Sequence, residues 1–113
     1  MRVQLPLSPK TIQALKDRTR RDSLRAGAFH VLTSRRFASE HRVWRHVDSD
    51  FRIDFADMLA EGTWSSGERA LLELAASLYG SSIQADVGRL LAVLGDSGRE
   101  VAFGAVMAYL AAE

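Results

Sequence analysis

The sequence predicts a mainly α-helical protein, a small bundle of about five helices with a short N-terminal strand or arm. Three observations support this fold class. Apolar residues recur at helical spacing through most of the second half, and residues that favour helix N-caps precede these segments. The composition, 47% hydrophobic and 26% charged over 113 residues, is that of one globular domain with a single core.

The same composition sets limits on chemistry and location. We expect one domain, residues 1–113, with a basic part at 1–46 and an acidic helical core at 47–113. The absence of cysteine excludes disulfides and thiolate metal sites and fits a cytoplasmic protein. The longest nearly apolar stretch, residues 101–112, is too short to span a bilayer, so no membrane role is expected.

The N-terminus predicts a short strand or arm that leads into a helix. Residues 2–8 alternate between apolar and other side chains, and Pro6 restricts such a strand to an edge or an end. Ser8 is a favoured N-cap residue, and Pro9 follows it at the first helical position, where proline loses no hydrogen bond.

Basic residues follow on this helix at a spacing that places them on one side. Arg18, Arg21 and Arg25 stand at i, i+3 and i+7, which stacks three cations along one face if the helix is continuous. Residues 22–23, Asp-Ser, either cap a second helix or lie within a continued one. Apolar residues at helical spacing continue through 24–32.

The middle of the chain leaves two structures open. Phe37, Trp44 and Val47 fit one face of a helix. However, residues 51–55 alternate between apolar and polar side chains, and the three residues before them, Asp-Ser-Asp, are typical of a turn that would pair this segment with residues 43–47. Either a helix or a β-hairpin around 43–55 is therefore expected.

Helix-capping signals are clearest in the second half. We predict four further helices, which begin after Asp54, at the capping box of Ser65 and Glu68, after Asp86, and at a second capping box of Ser97 and Glu100.

Two of these helices carry specific expectations about burial. The third of them should direct Val87, Leu90, Leu91 and Leu94 inward. The last is apolar nearly all round, so it forms either the central helix of the bundle or a homodimer surface.

Charge is divided unevenly along the chain. Residues 1–46 carry eleven Lys/Arg against three acids, a formal charge of +8, and residues 47–113 carry four Arg against eleven acids, a charge of −7. Such asymmetry indicates an anionic partner, either nucleic acid or an acidic protein surface, unless the two parts neutralise each other across the fold.

We therefore expect a non-enzymatic binding or regulatory protein that binds nucleic acid through its Arg-rich helix and arm. Arginine and lysine suit phosphates, and Arg and Gln can read base edges. The expected nucleic-acid-binding residues are Arg2, Gln4, Lys10, Arg18, Arg21 and Arg25.

Residues 2–33, the alternating segment and the two helical stretches after it, resemble ribbon-helix-helix DNA-binding proteins. The resemblance implies a dimer whose paired N-terminal strands enter the major groove, with Arg2 and Gln4 as base readers. Arg20-Arg21-Asp22-Ser23 departs from the glycine-containing turn of that family.

A second class of function is a protein-directed inhibitor or adaptor, for example a mobile-element product that acts on a larger host complex. In that case the acidic part would supply the interaction surface, mimicking the charge of nucleic acid. Its expected residues are Asp48, Asp50, Asp54, Asp57 and Glu61.

A third class is an enzyme. Arg25 with His30, and Arg36 with His41, match the Arg-x4-His spacing of HEPN ribonucleases, and this resemblance implies phosphate stabilisation by Arg and proton transfer by His. No histidine or carboxylate spacing predicts a metal site, and no cofactor is expected.

Overall fold

The computed structural model describes residues 5–112, which fold into seven α-helices with no β-strand in that range. Five of them span seven residues or more. In chain order the helices are α1 Pro9–Thr19, α2 Ser23–Leu32, α3 His41–Trp44, α4 Phe55–Ala60, α5 Ser66–Leu78, α6 Val87–Val93 and α7 Asp96–Ala111.

Side-chain caps fix where most of these helices begin. Ser8, Asp22, Asp54, Ser65 and Asp86 each accept a hydrogen bond from the backbone N–H three residues later. Ser65 does so within a complete capping box. The predicted starts at Ser8, Asp54, Ser65 and Asp86 are confirmed, and of the two alternatives left open at Asp22, the cap of a second helix is the one that forms. The predicted start of α7 is wrong, because α7 already begins at Asp96, after Gly95.

Helices α2 and α5 form the centre of the molecule. Helix α2 packs against α7, α5 and α1, and it buries Phe29, Val31 and Leu32 completely or nearly so. Helix α5 buries most of its residues, including Leu71 and Leu72. The core continues from these two helices to the buried aromatic residues of the middle segment, residues 37–55.

The expectation that α7 forms the central helix is wrong. Its buried residues are small, Gly98, Ala102 and Ala105, and α7 approaches α2 closely at Ala105, whose carbonyl oxygen would lie 3.3 Å from a Cβ added at Gly27. Its large apolar side chains lie on the opposite side, where Phe103 is 62% exposed and Leu110 is 68% exposed. The alternative, a homodimer surface on α7, stays a prediction.

Helix α6 also buries less than its sequence predicted. Leu90 and Leu94 are buried, but Val87 is 60% exposed and Leu91 is 37% exposed. The helix has only seven residues, so it covers the core with a narrow stripe rather than a broad face.

Of the two structures left open around 43–55, the β-hairpin does not form, and the segment follows the short helix α3 with a turn. Val47 and Ile53 form one isolated antiparallel bridge, and no strand extends from it. Asp48 closes the turn by accepting hydrogen bonds from the N–H groups of Asp50 and Arg52. Phe51 has a φ of 60°, a left-handed backbone that interrupts regular strand pairing.

No strand forms at the N-terminal end of the described range either. Leu7 is buried, and its N–H donates a hydrogen bond to the carbonyl of Ala38 at 3.0 Å. This contact ties the chain to a loop rather than to a sheet. The predicted strand also included residues 2–4, which lie outside the described residues. No helix within residues 5–112 is long and apolar enough to cross a membrane.

Candidate functional site: a cationic cleft

The break between α1 and α2 creates the candidate site. Helix α1 ends at Thr19, and Asp22 caps α2, since its carboxylate accepts a hydrogen bond from the Arg25 N–H at 3.2 Å. The α1–α2 connection therefore carries Arg20 and Arg21 outside both helices. The expectation of one continuous stripe formed by Arg18, Arg21 and Arg25 is wrong, because the three residues do not share a helix.

A cleft of about 420 Å³ opens beside this turn, between α1, α2 and the last turns of α7. We call it the cationic cleft. Its lining residues are the cations Lys16, Arg20 and Arg21, the polar residues Thr19 and His30, and the apolar residues Ala26, Phe29, Ala108, Ala111 and Ala112.

The three cations of the cleft are exposed and unneutralised. Lys16, Arg20 and Arg21 take part in none of the ion pairs found among residues 5–112. Positive charge at the rim of a concave, partly apolar surface raises the local concentration of anions. This arrangement can bind an anionic ligand that also has an apolar body.

His30 is the polar group on the α2 side of the cleft. Its imidazole is partly buried and packs against Gly104 of α7, so closely that a Cβ on Gly104 would overlap its Nε2 atom. Burial lowers the pKa of His30, and the nearby Lys16 ammonium lowers it further. The ring is therefore neutral at pH 7 and offers one N–H donor and one acceptor nitrogen.

Apart from the cations and His30, the lining of the cleft is apolar except for Thr19, whose hydroxyl already has a hydrogen-bond partner. Thr19 is buried, and its hydroxyl donates to the Leu15 carbonyl at 2.8 Å. The alanines at 108, 111 and 112 leave space where larger side chains would fill the cleft.

Arg25 does not lie in the cleft. Its Nη1 atom is 2.7 Å from Asp22 Oδ2, and its Nε donates to the Phe51 carbonyl at 3.2 Å. Its guanidinium carbon also lies 5.9 Å from the centre of the Tyr79 ring. The hydrogen bond to Asp22 raises the pKa of Arg25. Arg25 is thus engaged in joining α2 to the middle segment.

The remaining predicted nucleic-acid-binding residues are separate from the cleft or outside the described range. Arg18 lies on another side of α1, with its guanidinium carbon 4.5 Å from the centre of the Phe51 ring. Lys10 is exposed in the first turn of α1. Arg2 and Gln4 lie outside the described residues, so the resemblance to ribbon-helix-helix proteins stays a prediction.

The acidic residues of the alternative function have mostly local roles. Asp48 closes its turn and Asp54 caps α4. Glu61 binds Arg45 and His46, and these two hydrogen bonds lower its pKa to about 2.

Asp50 and Asp57 are exposed. A second depression, of about 640 Å³, is lined by Asp48, Asp54 and Asp57 together with Arg45 and Arg52. Its charge is mixed.

The Arg-x4-His pairs are not assembled into a site of their own. His30 lies in the cationic cleft, whereas Arg25 is bound to Asp22 away from it. His41 is exposed, and Arg36 lies against Gly67 at the start of α5. Within residues 5–112 no group of three or more His, Asp or Glu side chains is placed to hold a metal ion.

Sequence reasoning missed Lys16, Arg20 and His30 as members of one site. A capping Asp directly after two Arg residues was the available signal that these cations occupy an interhelical turn. The contribution of α7 had no local signal, because it begins about eighty residues further along the chain. Comparisons with protein-family models, curated proteins and solved structures found no match to this chain.

Proposed function

We propose that this protein is a non-enzymatic binding protein that binds nucleic acid through the cationic cleft. The observation that carries the proposal is the convergence of Lys16, Arg20 and Arg21, free of ion pairs within residues 5–112, at the rim of one concavity. Contacts of this kind with phosphates supply most of the sequence-independent affinity for nucleic acids.

The distribution of ion pairs supports the proposal further. Within residues 5–112, the pairs that join the basic part to the acidic part are those of Arg45 and His46 with Glu61. Neutralisation across the fold is therefore local to that cluster. The cations of α1 and the α1–α2 turn keep their positive charge facing solvent, where it attracts a polyanion.

Additional cations extend the positive surface beyond the cleft. Lys10 lies on α1, about 9 Å along the helix axis from Lys16 at the usual helical rise. Arg18 is held over Phe51 by a cation–π contact, which leaves the edges of its guanidinium available to donate hydrogen bonds. These residues would contact further phosphates of a polymer, whereas Arg25 would not.

A salt series on two charge-matched variants tests the proposal. One variant replaces the cleft cations, Lys16, Arg20 and Arg21, by Ala. The control replaces three cations elsewhere, Arg52, Arg69 and Arg89, by Ala. Both lose the same net charge, so a difference between them reports position rather than total charge. Binding of a fluorescent oligonucleotide is measured by anisotropy between 50 and 200 mM salt.

The expected result follows from counterion release. Three lost phosphate contacts make the negative slope of log K against log salt shallower by about 2. Between 50 and 200 mM salt, the parent should therefore lose roughly fifteenfold more affinity than the cleft variant. The control should keep the parental slope. Equal effects of the two variants would contradict the proposal, and so would affinity for an acidic protein surface without any nucleic-acid binding.

A further inference from the structure

The shape of the cationic cleft indicates which form of nucleic acid it accepts. A duplex presents its phosphates on a convex surface and keeps its bases stacked inside. A flat or protruding basic surface would suffice for such a ligand. Here the cations line a concavity of about 420 Å³, within the size range of small-molecule sites. A duplex backbone would leave this space and its apolar lining unused.

The lining of the cleft has the chemistry of a base-binding site. Alanines of α2 and α7 form apolar walls, on which the faces of a base can pack. His30 adds one hydrogen-bonding group that is held in place by its packing on Gly104. A base needs this combination, since its faces are apolar and its edge is polar.

The three cations that line the cleft are exposed, so they belong to its solvent-facing part. Lys16 belongs to α1, and Arg20 and Arg21 belong to the turn that follows it, so all three stand on one side of the opening. A nucleotide whose base enters the cleft leaves its phosphates at the rim. The charged and apolar parts of the site therefore match the two parts of a nucleotide.

We infer that the cationic cleft holds one unstacked base of a single-stranded nucleic acid, with the flanking phosphates bound by Lys16, Arg20 and Arg21. The inference rests on the proposed function and adds to it a preference for single strands. In this arrangement the apolar walls of the cleft contact the base, whereas binding through charge alone would leave these walls without a function.

Filling the cleft without changing its charge tests this inference. In one variant Ala108 and Ala111, which line the cleft, are both replaced by Leu. The control places the same substitutions at Ala60 and Ala92, exposed helical positions of α4 and α6. Circular dichroism verifies that both variants remain folded. Each protein is titrated with a single-stranded oligonucleotide, with the duplex of the same sequence, and with the free mononucleotide.

The inference predicts that the parent protein binds the single strand more tightly than the duplex. Filling the cleft should weaken single-strand binding by about fivefold, the low end of the range for the loss of one stacked base, because the walls are aliphatic, and leave duplex binding unchanged. Equal single-strand affinities of the filled variant and its control would overturn the inference. A free mononucleotide that binds as tightly as the oligonucleotide would also overturn it, in favour of a small-molecule ligand.

These outcomes are distinct from failure of the proposed function. If the cleft-filled variant binds like its control but removal of the three cations still weakens binding, nucleic-acid binding stands and base insertion does not. If no form of nucleic acid binds the parent protein, both fail.

Discussion

The contact between His30 and Gly104 gives the sharpest prediction about the architecture of the cleft. A Cβ added at Gly104 would overlap His30 Nε2 and lie 2.8 Å from Cε1 and 3.1 Å from Cδ2 of the same ring. Replacing Gly by Ala in a helix interior otherwise stabilises a protein by about 1 kcal/mol. Overpacking of this kind costs about 1–3 kcal/mol, so Gly104→Ala should destabilise the parent protein by about 1 kcal/mol.

The same substitution should have the opposite sign once the ring is removed. In a His30→Ala background the added methyl group meets no imidazole, so the helix-propensity gain of up to about 1 kcal/mol should appear. The two effects together predict a coupling of about 2 kcal/mol in a double-mutant cycle.

The cycle consists of the parent, Gly104→Ala, His30→Ala and the double variant. Urea unfolding of these four proteins measures the coupling through their transition midpoints. Gly88→Ala serves as the control, because its new Cβ would come no closer than 3.6 Å to its nearest neighbour, an Asp86 carboxylate oxygen. That control should be neutral or slightly stabilising in both backgrounds. If Gly104→Ala changes stability equally with and without His30, the packing described for the cleft is wrong.

Three further predictions concern residues away from this contact. Arg25→Ala should lower the free energy of unfolding by about 1–2 kcal/mol, because it removes a charged hydrogen bond to the Phe51 carbonyl and an ion pair, and it should leave the salt slope of nucleic-acid binding unchanged. The hydrogen bonds from Arg45 and its neighbouring imidazole hold the pKa of Glu61 at about 2, below its usual 4.5, so they stabilise the fold fully above pH 4.5 and progressively less as pH falls towards 2. Glu61→Gln should flatten this part of an unfolding-versus-pH profile, and an unaltered profile would contradict the assignment. The exposed apolar side of α7 predicts concentration-dependent self-association that Phe103→Glu abolishes, and a monomer at all concentrations in analytical ultracentrifugation would refute it.

Helix starts were predictable because a cap is a local interaction. Ser8, Asp54 and Ser65 each satisfy backbone N–H groups within the next three residues, so their role can be read without knowledge of the tertiary fold. The same reasoning failed at Ser97, since α7 begins at Asp96 and carries no side-chain cap at its start.

Alternating hydrophobicity in the middle segment correctly indicated alternating burial but not a strand. Val47, Phe51, Ile53 and Phe55 are all buried, as the pattern of apolar residues implied. Regular pairing does not follow, since Phe51 adopts a left-handed backbone after the turn closed by Asp48. Periodicity reports which side chains face the core, whereas a strand also needs a partner along its length.

The candidate site was predictable only in its charge. The excess of Arg and Lys in residues 1–46 indicated an anionic partner, but which cations remain free depends on distant neighbours. Arg25 is removed from the set by contacts with Phe51 and Tyr79, which follow it by more than twenty residues. Lys16 joins the cleft because α1 and α7 both pack against α2.

The most direct test of where nucleic acid binds is a map of amide chemical shifts on a ¹⁵N-labelled sample titrated with a single-stranded oligonucleotide. We predict shifts concentrated at the three parts of the chain that line the cationic cleft, residues 16–21, 26–30 and 108–112. The exposed side of α6 should remain unperturbed. Saturable shifts confined to other surfaces, with none at the cleft, would contradict the proposed function.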